Sequence, residues 1–102
     1  MLNNNIILVE SGATKSDWRV LDKFGNVTGQ ALFPGMNLST MRMEDILGVI
    51  TEAFESEVFS GSFRGLYLYA AGVVTDSVRD TLSSHIRRLA DIAEVDIEDD
   101  LT

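Results

Sequence analysis

The turn after the first apolar run holds the side chains whose types and spacing best suit chemistry. It consists of a carboxylate, Glu10, followed by Ser11, Gly12, Thr14 and Lys15. A turn of this composition exposes backbone N–H groups and hydroxyl donors that can bind a polyphosphate, and the carboxylate beside it can hold hydrated Mg²⁺. The alternative interpretation is an ordinary glycine-containing hairpin with a surface lysine.

The Lys15-Ser16 pair bears only a superficial likeness to the end of a Walker A phosphate loop. Thr14 stands where that motif has its second glycine, and the residues that follow alternate as in a strand instead of forming a helix. The turn is therefore not a P-loop.

Three strands are predicted to position this turn. Residues 5–10 form a continuous apolar run ending in a carboxylate, which is typical of a central strand buried on both faces. Residues 16–22 alternate as a second strand, and residues 27–33 resume a strand pattern after hairpin residues that include Gly25. The opening is predicted to be a three-stranded antiparallel meander.

Two helices and two further strands follow. Ser39 or Thr40 is placed to cap the first helix, and Thr75 is placed to cap the second. A loop over residues 61–65 precedes a strand at residues 66–71, and the last strand covers residues 94–98. The apolar stripes of the helices are Met43, Ile46, Leu47, Ile50, Ala53, Phe54 and Val58, then Val78, Leu82, Ile86, Leu89 and Ala93.

The order βββαβαβ predicts an α/β fold with a mixed five-stranded sheet. The meander is followed by two right-handed βαβ crossovers, with helices on the faces of the sheet. This topology resembles that of a ribonuclease H-like lobe. The 102 residues hold one core, and the sequence stops just after a strand, so we expect residues 1–102 to be the front lobe of a longer two-lobe protein.

Composition argues against several classes of function. The net charge of −8 repels phosphate backbones and anionic lipid, so neither nucleic acid nor a membrane surface is an expected partner. Cysteine is absent, which excludes disulfides, thiolate metal sites and a cysteine nucleophile. The longest early apolar run, residues 6–9, is too short for a signal sequence, and a cytoplasmic protein is expected.

The remaining polar and aromatic candidates are interpreted as structural. His85 lies at the edge of a helical stripe with no carboxylate or serine partner predicted, so it is expected to be a partly buried imidazole. Tyr67 and Tyr69 fall in an apolar strand and, like Trp18, are expected in the core.

Residues 7–18 resemble the first phosphate motif of the actin-like ATPase and sugar kinase superfamily. They read Ile-Leu-Val-Glu-Ser-Gly-Ala-Thr-Lys-Ser-Asp-Trp. The likeness is closest to the group that contains N-acetylglucosamine kinase and the BadF/BadG-type activator ATPases, and it extends over nearly the whole chain. Glu10 occupies a position that is Asp in most of the superfamily but also Glu in N-acetylglucosamine kinases, while Ser11 and Ala13 replace glycines of the commoner form.

The resemblance implies ATP and Mg²⁺ as cofactors and an amino sugar as substrate. It assigns phosphate contact to Ser11, Gly12, Thr14 and Lys15, and it assigns the outer shell of the metal, through water, to Glu10. Residues 34–37 are similar to the loop whose asparagine binds the sugar, which makes Asn37 the substrate-binding residue. From the residues alone, the same loop is a turn leading into a helix.

The resemblance also implies a general base at the end of the last strand. Asp100 is its expected position, with Asp99 as the rival register. The reaction implied is transfer of the γ-phosphoryl group of ATP to a sugar hydroxyl, with the adenine pocket in a C-terminal lobe beyond residue 102. We expect residues 1–102 alone to be inactive, and the sequence leaves a homodimer open.

Two other functions fit the same residues. An activator ATPase would couple ATP hydrolysis to electron transfer, although such proteins usually carry cluster-binding cysteines. A sugar-sensing or regulatory module would retain the fold without turnover, which the replaced glycines allow.

Overall fold

The computed structural model describes residues 4–99, which form an α/β fold with a five-stranded mixed sheet and two helices. This confirms the predicted class. The strands are β1 (Ile6–Ser11), β2 (Lys15–Leu21), β3 (Val27–Pro34), β4 (Ser62–Ala70) and β5 (Asp91–Asp99), and the helices are α1 (Met43–Glu55) and α2 (Asp76–Leu89), with a 3₁₀ turn at Glu57–Phe59.

The strands are ordered β3-β2-β1-β4-β5 across the sheet. β1 pairs antiparallel with β2, and β2 pairs antiparallel with β3. On its other side β1 pairs parallel with β4, which in turn pairs parallel with β5. The apolar run of β1 therefore lies at the centre, where backbone groups on both edges are paired.

Both helices cover the same face of the sheet. The chain moves from β3 across to β4 and then outward to β5, and right-handed crossovers that step in one direction place their helices on one side. The sequence predicted helices on the faces of the sheet, and the structure has them on one face for this reason. The residues of the covered face belong to one hydrophobic core, which includes Ile7, Val9, Trp18, Leu66, Leu68 and Ile97 from the sheet and Ile46, Ile50, Leu82 and Ile86 from the helices.

The predicted core positions of Tyr67 and Tyr69 are wrong because they point to the open face. Tyr67 is half-buried, and Tyr69 is 39% exposed. Trp18 confirms its prediction at 1% exposure. Its ring makes edge contacts with Phe33, Phe54 and Phe59, which fix the end of α1 over the meander.

Some element bounds differ from the predicted ones. β4 begins at Ser62, because Ser62 and Phe63 pair with the start of β5 even though the glycines around them predicted a loop. α2 ends at Leu89, so Ala93 lies in β5 and not on a helical stripe. Similarly, α1 ends at Glu55, and Val58 belongs to the 3₁₀ turn.

The two predicted helix caps have opposite outcomes. The Thr75 hydroxyl accepts a hydrogen bond from Val78 N at 3.2 Å, as expected of an N-cap. α1 instead begins after Arg42, which makes no side-chain cap. Ser39 has a different role, since its Oγ accepts a hydrogen bond from Val73 N at 2.6 Å.

Candidate functional site

The candidate residues meet at the carboxyl ends of the parallel strands. Ser11, Ala70 and Asp99 lie in one row across β1, β4 and β5, and the β1–β2 turn (residues 12–14) rises directly beyond Ser11. Asn37 reaches the same edge, where it forms a parallel bridge with Ala71. Ligands of open α/β sheets bind at this kind of edge.

A surface cavity of about 330 Å³ lies at this edge, on the open face. It is bounded by the β1–β2 turn and by the side chains that stand on the sheet beside it. The lining residues are Glu10, Ser11, Gly12, Thr14, Lys15, Asp17 and Tyr69. The structure thus brings together the predicted phosphate and metal residues, while Asn37 lies at the same edge but outside the cavity lining.

The Glu10 carboxylate is available to a ligand in this cavity. Its side chain is 61% exposed, and its ion-pair contact is with Arg19, at 3.7 Å from Nη1 to Oε1. Arg19 makes a shorter contact with Asp17, at 2.8 Å, and Asp17 also accepts a hydrogen bond from Gln30. An exposed ion pair of this length contributes little stabilisation, so the Glu10 side chain is not held away from the cavity that it lines.

The β1–β2 turn offers donors that the described part of the chain does not use. Gly12 N donates to Lys15 O at 3.0 Å and so closes the turn, which leaves that amide occupied. The backbone amides of Ala13 and Thr14 donate to no residue within 4–99, and neither the Thr14 hydroxyl nor the Lys15 ammonium has a polar partner there. Thr14 and Lys15 line the cavity together with Glu10, and the unpaired amide of Ala13 belongs to the same turn.

The Ser11 hydroxyl does not point into the cavity. Ser11 is only 3% exposed, and its Oγ accepts a hydrogen bond from Met36 N at 2.7 Å. Its own proton is within reach of Gly12 O at 3.2 Å and Met36 O at 3.3 Å. Its side chain binds the neighbouring loop because alternate residues of β1 face the helices.

The Asn37 side chain stabilises its own loop. Its Oδ1 accepts hydrogen bonds from Ser39 N at 2.9 Å and Thr40 N at 3.2 Å. Gly72, with φ of +93°, packs so closely that an added Cβ would lie 2.7 Å from this oxygen. Only the Nδ2 donor of Asn37 remains for a ligand, which is half of the hydrogen-bonding capacity that the sequence predicted.

The expected general base lies outside the described residues. Asp100 is the residue next to the end of β5, and the structure describes the chain only as far as Asp99. Asp99 is half-buried and stands opposite Ala70 on β4. The choice between the two registers remains a prediction.

Sequence reasoning missed two members of the cavity, Asp17 and Tyr69. Tyr69 stands beside Glu10 in the register of β1 and β4, and Asp17 faces Glu10 from β2. The alternation of β2 placed Asp17 on the side opposite Trp18, which was the available signal for Asp17. Tyr69 carried no signal, because its apolar neighbours on both sides predicted burial.

Two further polar groups belong to the structure and not to the cavity. His85 Nε2 lies 2.9 Å from Thr51 Oγ1, which links α2 to α1. The Tyr67 hydroxyl donates to Glu94 at 3.1 Å, and this hydrogen bond raises the pKa of Tyr67 above its usual value. Both groups are held by neighbours on adjacent elements.

Residues 4–99 contain no group of three or more His, Asp or Glu side chains placed to hold a metal ion by themselves. Within the same range, neither helix has the length and apolar character needed to cross a membrane. No protein-family model matches the chain, and no curated protein shows significant similarity to it.

Proposed function

We propose that this chain is the N-terminal lobe of an ATP-dependent kinase of the actin-like superfamily, which transfers the γ-phosphoryl group of ATP to a hydroxyl of an amino sugar. The proposal includes a ribonuclease H-like assignment of the lobe. The antiparallel β1–β2–β3 meander continued by parallel β4 and β5 supports that assignment. In this proposal the adenine pocket lies in a second lobe.

The observation that carries the proposal is the set of unpaired donors in the β1–β2 turn. The Ala13 and Thr14 amides, the Thr14 hydroxyl and the Lys15 ammonium lie together at the carboxyl edge. Backbone amides, hydroxyls and ammonium groups that are close together in one turn are the donors that bind phosphate oxygens in proteins.

The donor set also fits Mg²⁺ carried by a nucleotide. Mg²⁺ retains several waters and needs only one or two carboxylates when phosphate oxygens complete its shell. Glu10 supplies one exposed carboxylate beside the turn, which is enough for contact through water. When bound, the metal would neutralise charge on the phosphates, and Lys15 and the amides would orient them.

Substrate binding is assigned to Asn37, which bridges Ala71 just beyond β4, and proton removal is assigned to the residue next to the end of β5. Asn37 Nδ2 is oriented by the bonds that its Oδ1 makes, so it can donate to a sugar hydroxyl. A sugar hydroxyl is a poor nucleophile at neutral pH, and a carboxylate within hydrogen-bond reach makes it reactive by accepting its proton. Asp100, next to the end of β5, is the proposed base.

The function is tested by supplying ATP and N-acetylglucosamine to the full-length protein and detecting the phosphorylated sugar. In Asp100→Asn, which retains shape but does not accept the proton, kcat should fall by roughly 10²–10⁴ with substrate binding retained. Asp96→Asn, an exposed position of the same strand, is the matched control and should behave as wild type.

The other outcomes identify the alternatives. ATP hydrolysis that is indifferent to sugar favours an activator ATPase, and sugar binding without product favours a sensor module. If Asp99→Asn causes the loss instead of Asp100→Asn, the base is one residue earlier. Phosphorylation by residues 1–102 alone would contradict the two-lobe arrangement.

A further inference from the structure

Two loops at the carboxyl edge are joined by a buried serine. Ser11 ends β1 immediately before the β1–β2 turn, and its Oγ accepts a hydrogen bond from Met36 N at 2.7 Å. Met36 has 0% exposure and immediately precedes Asn37. This hydrogen bond therefore fixes the position of the Asn37 loop relative to the end of β1.

Backbone packing reinforces this contact. A Cβ added to Gly35 would lie 2.4 Å from Gly12 O and 2.7 Å from the Ala13 carbonyl. The loop before Asn37 thus lies directly against the backbone of the β1–β2 turn, with no side chain between them. A shift of either backbone must move the other or break the Ser11 bond.

We propose that Ser11 is a positioning residue that couples the β1–β2 turn to the Asn37 loop, so that a ligand held by one of them sets the affinity of the other. The names of the two ligands, ATP and an amino sugar, rest on the function proposed above. In this arrangement the Ser11 hydroxyl is used by the Met36 loop and does not point into the cavity. Because its buried hydroxyl is hydrogen-bonded to the Met36 amide, a shift of the β1–β2 turn also shifts the Asn37 loop.

Ser16 provides a matched control within the same hairpin. It is equally buried, and its Oγ donates to Pro34 O at 2.8 Å and accepts from Trp18 Nε1 at 3.0 Å. Pro34, however, is already held by the ladder between β2 and β3, whereas Met36 lies beyond the end of that ladder. Loss of the Ser16 hydroxyl should therefore destabilise the hairpin without uncoupling the loops.

The first test follows amide hydrogen exchange of Met36 in the chain. Ser11→Ala should accelerate this exchange about ten-fold, because the buried N–H loses its acceptor. Ser16→Ala should leave Met36 exchange unchanged relative to the rest of the chain. Ser11→Thr, which keeps the hydroxyl, should preserve wild-type protection.

The second test measures steady-state kinetics of the full-length protein. Ser11→Ala should raise KM for N-acetylglucosamine about ten-fold and change kcat much less, whereas a loss of folded protein alone would lower the apparent kcat and leave KM unchanged. The change in sugar affinity on adding a non-hydrolysable ATP analogue should also disappear in this variant.

The outcomes separate the coupling from the function. Unchanged Met36 exchange and unchanged KM in Ser11→Ala would overturn the coupling. Ser16→Ala that changes Met36 exchange and KM as much as Ser11→Ala does would also overturn it. So would a folded Ser11→Thr variant that lacks wild-type Met36 exchange and KM. If the wild-type protein binds neither ATP nor amino sugar, the proposed function fails, and accelerated Met36 exchange in Ser11→Ala alone would still establish the Ser11 contact.

Discussion

The two hairpin turns of the meander differ in how they treat their own polar groups. In the β2–β3 turn (residues 22–26), the Asp22 carboxylate accepts hydrogen bonds from Phe24 N and Asn26 N, both at 2.9 Å. In the β1–β2 turn, the amides of Ala13 and Thr14 have no acceptor among residues 4–99. Within residues 4–99, the β2–β3 turn pairs every backbone amide except that of Lys23, whereas the β1–β2 turn leaves two neighbouring amides unpaired.

The lysines of the two turns show the same difference. Lys23 lies over the Phe24 ring, with Nζ 5.2 Å from the ring centroid. Lys15 has no such partner in the described chain and lines the cavity beside Glu10. Both turns combine glycine, lysine and small polar residues, so composition does not distinguish them. Hydrogen-bond pairing and position on the sheet do distinguish them.

The largest difference between the turns should come from their lysines. Lys15→Ala removes a cation from the cavity and should weaken binding of ATP to the full-length protein by about 1.5–3 kcal/mol, the range for a charge-assisted hydrogen bond. Lys23→Ala removes the same charge from the other turn and should leave ATP affinity within about two-fold, since surface substitutions away from special features change little. Titration of ATP by calorimetry measures both.

Equal loss of affinity in the two lysine variants would indicate that net charge, and not the β1–β2 turn, controls binding. If neither variant loses ATP affinity, the β1–β2 turn is an ordinary structural hairpin.

The second prediction concerns the contact that covers the β1–β2 turn. Gly35→Ala places a methyl group 2.4 Å from Gly12 O, so backbone must move, and the free energy of unfolding should fall by about 1–3 kcal/mol. Gly48→Ala, on α1, is the control because no atom lies within 4 Å of its added Cβ. That variant should gain about 0.5–1 kcal/mol from helix propensity.

Urea unfolding of the two glycine variants decides this point. If Gly35→Ala is as stable as wild type, the loop before Asn37 is free to move away from the turn, and the close backbone packing is not required for the fold.

The elements that local sequence patterns specify were predicted well. The alternation in β2 identified Trp18 as core, and the spacing after Thr75 identified the cap of α2. These predictions succeeded because side-chain periodicity and capping depend on near neighbours in the sequence. The phosphate site predicted after β1 stays a prediction, although the residues assigned to it do line one cavity.

The missed features depend on contacts between distant residues. Tyr69 is exposed because both crossovers step in one direction, which no single strand reveals. The hydrogen bond between the Ser11 hydroxyl and Met36 joins residues 25 apart in the sequence, so the local pattern does not predict it. The start of β4 was missed because Ser62 and Phe63 become a strand only through pairing with β5.

A smaller effect is expected from the hydroxyl of the β1–β2 turn. Thr14→Ala removes one donor from the cavity and should weaken ATP binding by about 1 kcal/mol, mainly through loss of phosphate positioning. Thr28→Ala, at the start of β3 near the other turn, removes a hydroxyl that makes only a 3.4 Å contact with Val20 O and should have no effect on ATP affinity. Affinity and turnover of Thr14→Ala that both match wild type would contradict the assignment of this hydroxyl.

The smallest effect should come from the charge of Asp22 in the β2–β3 turn. The hydrogen bond from the Asn26 backbone, followed by those from Phe24 and the Asn26 side chain, lowers the pKa of Asp22 in the folded chain. A carboxyl group whose pKa is lowered on folding stabilises the protein above its unfolded pKa, about 3.9, and loses that contribution as pH falls through the folded value. The difference in stability between wild type and Asp22→Asn should therefore be constant from neutral pH to about pH 5 and should shrink below about pH 4.

Chemical unfolding of both proteins over this range measures the difference, because the other carboxyl groups titrate equally in each. A difference that stays constant down to pH 2 would show that the turn needs only an oxygen acceptor and not the charge, and the internal satisfaction of the β2–β3 turn would then be independent of pH.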